Sequence, residues 1–139
     1  MKKINIWARK KGRYFLLQAL YQECINAMPI NEIVAQYQEQ HPKAKVDWLF
    51  FATGLAYILQ HKQQLDIAIQ PFLDREDEQI DIIERCLLRM GVWEHSMDTP
   101  HKVILNESIE LAKTFGGTDS YKYINGILDS FFKHVCKNR

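Results

Sequence analysis

At 139 residues, with 47% hydrophobic and 25% charged residues, the chain suits one globular core of ordinary composition and excludes a fibrous or disordered polymer. Six glycines and four prolines are few, which favours long helices over a turn-rich β fold. The formal net charge of +1 excludes a uniformly basic chain, but the charge is uneven. Residues 1–13 hold six of the 18 basic residues (Lys2, Lys3, Arg9, Lys10, Lys11 and Arg13) and no acid. The rest then has 12 basic against 17 acidic residues, net −5. A basic arm on a mildly acidic body suggests a polyanion held at one place.

No apolar run approaches the roughly 18 residues of a membrane span. Lys2 and Lys3 precede a polar stretch, so no secretory signal is expected. Cys24, Cys86 and Cys136 are odd in number and far apart, which reads as free thiols in a reducing cytosol. The expected location is the cytoplasm, with no membrane partner.

In chain order, the spacing of Leu16, Leu17, Leu20, Tyr21 and Cys24 predicts a first helix from Arg9 to about Cys24. Arg9 and Arg13 share one side of its first turns. Gly12 weakens that end by about 1 kcal/mol relative to alanine, so the basic turns are expected to fray without a ligand. Met28-Pro29 breaks the pattern, and Asn31 is placed to cap a second helix over 31–40. Asp47 is placed to cap a third, running to Ile69 before Pro71. Its expected buried side is Trp48, Phe51, Leu55, Ile58, Leu59, Leu65 and Ile69. The charged run Asp74–Glu78 reads as a solvated turn.

A fourth helix is expected over 79–95, with Ile80, Ile83, Leu87, Met90 and Gly91 inward. Pro100 suits the first position of the next helix. That helix buries Ile104, Ile109, Leu111, Ala112 and Phe115 and stops at Gly116-Gly117, where glycine takes a left-handed conformation cheaply. Thr118, Asp119 and Ser120 supply oxygens to cap the last helix, whose inward side is Tyr121, Ile124, Leu128, Phe131 and Val135. No strand pattern of useful length occurs, so the fold class is all-α.

Catalytic and metal motifs are absent. Glu107 and Glu110 lie three apart on a helix, but no Glu-x-x-His accompanies them, and Glu110 is better read as paired with Lys113. His41, His61, His95, His101 and His134 are scattered and not at zinc-ligand spacing. Ser108 and Ser120 lack a nucleophile elbow, and Gly116-Gly117 is not a phosphate loop. The chain reads as a non-enzyme with no cofactor and no metal.

Two features suit nucleic acid. The one-signed basic cluster opens a helix, where its charges oppose the positive end of the dipole and phosphates would relieve them. Tyr123 lies beside the core stripe of the last helix, next to Lys122, and offers a ring for an unstacked base.

The run NESIELAKTFGGTDSYKYINGILD resembles the C-terminal signature of the NusB family of bacterial transcription antitermination factors. The blocks RKKGRYFLLQALYQ, LDIAIQPFL and IERCLLRMGVWE agree with it, so the resemblance covers nearly the whole chain. It implies two small helical bundles packed as one domain over residues 1–139. It implies binding of single-stranded boxA-type RNA together with the ribosomal protein NusE. It further implies other Nus factors, RNA polymerase and read-through of terminators in ribosomal RNA operons.

Residue by residue, the resemblance assigns RNA contacts to Arg9, Lys10, Lys11 and Arg13. It assigns others to Asp119, Ser120, Lys122 and Tyr123, with tyrosine standing where phenylalanine is usual. Tyr21 and Glu84 match the partner surface, and Glu84 is expected to meet a basic ribosomal protein while leaving the fold untouched by substitution. The basic block has lysines where arginines are usual, which reduces bidentate phosphate contacts. Tyr57 in place of a glycine, and a short hinge after Glu94, concern packing. Two other readings compete: a protein-only helical adaptor, and a substrate-binding domain like those of ribosomal RNA cytosine methyltransferases.

Overall fold

The computed structural model describes residues 4–75 and 79–137. Glu76, Asp77 and Glu78 of the charged run, and Lys2 and Lys3 of the basic arm, lie outside the described residues. Every regular element among the described residues is helical. The helices are α1 (Ile6–Ile25), α2 (Ile30–Gln40), α3 (Trp48–Gln60), α4 (Lys62–Ile69), α5 (Ile82–Ser96), α6 (His101–Phe115) and α7 (Ser120–Lys137), with a 3-10 turn at Gln70–Phe72. They divide into two compact units, residues 1–60 and 61–139.

In the first unit α3 packs on α1 and α2. Leu16, Leu17, Ile33, Phe51, Leu55 and Ile58 are fully buried. An aromatic cluster closes one end: Phe15 stacks on His41 at 4.4 Å and on Trp48 at 6.0 Å between ring centroids. In the second unit α6 packs along α7, and both pack on α5, with α4 against α5. Trp93, Leu87, Leu88, Ile104, Ile124 and Leu128 are among its fully buried side chains. Asp66 on α4 holds Arg89 on α5 through two hydrogen bonds of 2.9 and 2.8 Å, the paired geometry that makes arginine–carboxylate bonds strong.

Several boundaries differ from the sequence reading. α1 begins at Ile6, because the Asn5 side chain accepts a hydrogen bond from the Ala8 N–H and caps it. Its basic turns are therefore helical, and Gly12 answers a packing need. A Cβ there would lie 3.2 Å from Phe50 Cδ1 and 3.3 Å from the Asp47 carbonyl oxygen. The single helix expected from Asp47 to Ile69 is two, broken at His61 (φ −125°, ψ 25°), where the two units meet in sequence. Pro29 and Pro100 both sit at N-cap positions with extended ψ of 142° and 136°, so Asn31 lies inside α2 and Pro100 just before α6.

α5 starts three residues later than expected, because Asp81 and Glu84 form a capping box. Gly116 has φ −90° and no described glycine has positive φ. What excludes other residues there is space: a Cβ would fall 2.7 Å from the Ala112 carbonyl oxygen. Trp48, Leu59, Ile83, Ile109, Phe115, Tyr121 and Val135 are half-buried, and Tyr21 and Cys24 on α1 are exposed, though all nine were expected inward.

Candidate nucleic-acid interface

The candidate residues fall at the start of α1 in the first unit and around the start of α7 in the second. At the start of α1 the four basic side chains separate by helical phase. Arg9 and Arg13, four apart, turn onto the unit itself. Their guanidinium carbons lie 4.9 and 5.2 Å from the centroid of the Phe50 ring. Arg9 also pairs with Asp47 at 3.4 Å, and Arg13 is only 4% exposed. Asp47 is the acid that the sequence did not place beside the cluster, 38 residues away.

Lys10 is half-buried and Lys11 is exposed, with its ammonium 5.1 Å over the Tyr14 ring. No acid lies in the first turn of α1. Among the four, Lys11 is the exposed side chain. Arginine 13, buried against an aromatic face, supports the turn instead. If RNA is held here, Lys10→Ala and Lys11→Ala should each flatten the log–log salt dependence of binding by about 0.7. Arg13→Ala should instead lower the melting temperature and leave that slope nearly unchanged. Measurement of binding across a salt series decides between them; equal slopes for all three alanine variants would contradict this division.

At the start of α7, Glu84 is the centre. It is 3% exposed, not the surface acid expected. Its carboxylate accepts hydrogen bonds from Arg75 Nη1 at 3.0 and 3.3 Å and from the Asp81 backbone N–H at 3.3 Å. It also accepts one from the Ser120 hydroxyl at 3.0 Å. Ser120 is 5% exposed, and its Oγ accepts the Gly117 N–H at 3.1 Å. One carboxylate thus fastens the start of α5, the segment before it, and the turn into α7. Burying this charge is sustained by the number and quality of its donors.

Arg75 does a second thing. Its guanidinium carbon lies 3.7 Å from the Tyr123 ring centroid, a close cation–π stack. Tyr123 is half-buried, and its hydroxyl is shielded from solvent with no hydrogen-bond partner among the described residues. Burial, then the nearby Asp74 carboxylate, push its phenol above the ordinary tyrosine value, against a lowering by Arg75. The sequence reading placed Tyr123 beside the core stripe, and it missed Arg75 because that residue sat in what read as a solvated charged turn.

Asp119 and Lys122 are exposed and pair at 3.5 Å, an interaction worth little at the surface. Lys113 places its ammonium 4.8 Å over the Tyr121 ring. Tyr21, the other residue matched to a partner surface, is 41% exposed on α1. Among the described residues no three His, Cys, Asp or Glu side chains gather as metal ligands. His95 and His101, read as scattered, do meet, with ring nitrogens 3.0 Å apart. Among the described residues no helix is long and apolar enough to cross a membrane.

Comparison with known proteins agrees with this architecture. The NusB family model matches residues 10–133. The transcription antitermination protein NusB of Alcanivorax borkumensis is 41% identical over 130 residues, which are 92% of this chain and 87% of that protein. That of Legionella pneumophila is 39% identical over 137 residues, covering 97% and 93%. Among solved structures, NusB of T. maritima superposes with a TM-score of 0.79 at 25% identity, covering 96% of this chain and 93% of that one. A NusB chain from a crystal structure of NusB and NusE with double-stranded RNA superposes with a TM-score of 0.81 at 20% identity, covering 94% and 99%.

Proposed function

The chain belongs to the NusB family, and from that premise we propose that it is a transcription antitermination factor acting in the cytoplasm on ribosomal RNA operons. It binds single-stranded boxA-type RNA together with the ribosomal protein NusE and, with other Nus factors, helps RNA polymerase read through terminators. Its antitermination relatives are regulators of transcription and not enzymes. The observation that carries the reading is identity of 36–41% to proteins named for antitermination, over 88–97% of the chain. A structural relative crystallised with NusE and double-stranded RNA supports NusE and RNA as the two kinds of partner.

On this reading, Lys10 and Lys11 contact phosphates, Arg9 shares its charge between Asp47 and RNA, and Arg13 acts by holding the turn. Asp119 and Lys122 flank the strand near Tyr123. Ser120 and Glu84 act from inside, by fixing the start of α7 and the guanidinium over Tyr123. Tyr21 is the exposed residue offered to NusE. Phosphate contacts alone give only non-specific binding, at about 10⁻⁴ to 10⁻⁶ M, so selectivity requires base contacts and the second protein. The test is titration of boxA-like and scrambled RNA with the chain alone and with NusE.

A further inference from the structure

Trp7 lies in the first turn of α1 and is 78% exposed. Of the three tryptophans, Trp93 is 1% exposed and Trp48 is half-buried in the aromatic cluster. A folded chain gains nothing by leaving its largest apolar side chain in water, whereas a ligand that covers the ring does. The surroundings say which ligand. Lys10 and Lys11 follow at three and four residues, on the same side of the helix. Tyr14 follows at seven residues, 36% exposed, with the Lys11 ammonium 5.1 Å over its ring. Seven residues span about 10 Å of helix. The face thus reads aromatic, cation, aromatic at the positive end of a helix whose first turn has no acid.

We infer that Trp7 is a stacking platform for an unpaired base of single-stranded RNA, with Lys10 and Lys11 holding the flanking phosphates and Tyr14 offering a second ring. This rests on the RNA reading above and adds a residue outside those matched to the family's RNA contacts. A protein partner with an apolar surface would use the indole but bring no anion to the positive end of the helix. A duplex would satisfy the cations but offer the indole no open base. Single strands supply both, since stacking on an aromatic ring accepts any base and the backbone supplies the charge.

The test uses the full chain, a short single-stranded RNA, and the same backbone lacking bases, each with and without NusE. Trp7 is the tryptophan open to solvent, so its fluorescence should be quenched by the base-bearing strand and not by the abasic one. Trp7→Ala should weaken binding of the base-bearing strand by about 5- to 100-fold and leave abasic binding unchanged, while Trp7→Phe keeps most of the affinity. An exposed side chain should be replaceable without change in melting temperature. If wild type binds RNA and Trp7→Ala binds it equally well, or loses both strands equally, the platform is rejected and the RNA reading stands. Loss of NusE binding with RNA affinity retained would make the indole a protein contact and also reject it. If wild type binds neither strand under any condition, the RNA reading itself falls, and the platform with it.

Discussion

Glu84→Lys is expected to destabilise the protein by about 3–5 kcal/mol, the scale for breaking a buried ion pair by loss of one member. The substitution sets an ammonium at a site 3% exposed, facing Arg75 at what was 3.0 Å. It also removes the acceptor of the Ser120 hydroxyl and half of the capping box at Asp81. Arg75 is about a third exposed and remains partly hydrated, so the introduced lysine carries most of the penalty. Glu84→Gln keeps an acceptor for Ser120 and should cost clearly less. Thermal or urea unfolding of the two variants measures this. A Glu84→Lys protein that melts with wild type would show that the carboxylate is not the fastener described. The expectation drawn from sequence, that this charge reversal leaves the fold intact, is corrected by the burial of the side chain.

Tyr123→Ala is expected to weaken RNA binding by about 1–3 kcal/mol, the range for losing one base-stacking ring. Tyr123→Phe should bind as wild type and fold at least as well, because the hydroxyl it removes is buried without a hydrogen-bond partner among the described residues. Arg75 occupies one face of the ring at 3.7 Å. On the proposed function, a base therefore stacks on the outer face of that guanidinium, or on the ring's opposite face. Arg75→Ala separates these. In the first case its loss equals that of Tyr123→Ala and the double variant adds nothing further; in the second it leaves binding largely intact. Loss of RNA affinity in Tyr123→Phe would place the interaction at the hydroxyl and contradict stacking.

The all-α class and most helix ends were legible because their signals are local. Pro29, Pro100 and the Gly116-Gly117 pair punctuate the chain whatever packs around them. The break at His61 was not legible, since Leu59, Gln60, Lys62 and Gln63 all favour a helix and neither glycine nor proline marks it. The roles of the charged candidates were the least legible. Arg13 and Glu84 look like surface charges in sequence, and only the approach of Phe50 to the one, and of Arg75 and Ser120 to the other, turns them inward. Trp7 was overlooked although its phase was readable. Counting back by sevens from Tyr21 through Tyr14 reaches Trp7, a stripe out of step with the buried Leu16 and Leu20.

The most direct measurement is one titration repeated with and without a second protein. A boxA-like single strand and a scrambled strand of equal length are each titrated with the chain alone, then with NusE present, at one fixed salt concentration near physiological. The chain alone should bind weakly, at about 10⁻⁴ to 10⁻⁶ M, with little selectivity. With NusE added, binding should become tight and boxA-selective, because base contacts then supplement phosphate contacts. Tight selective binding by the chain alone, or no gain in affinity or selectivity from NusE, would contradict the two-protein mechanism.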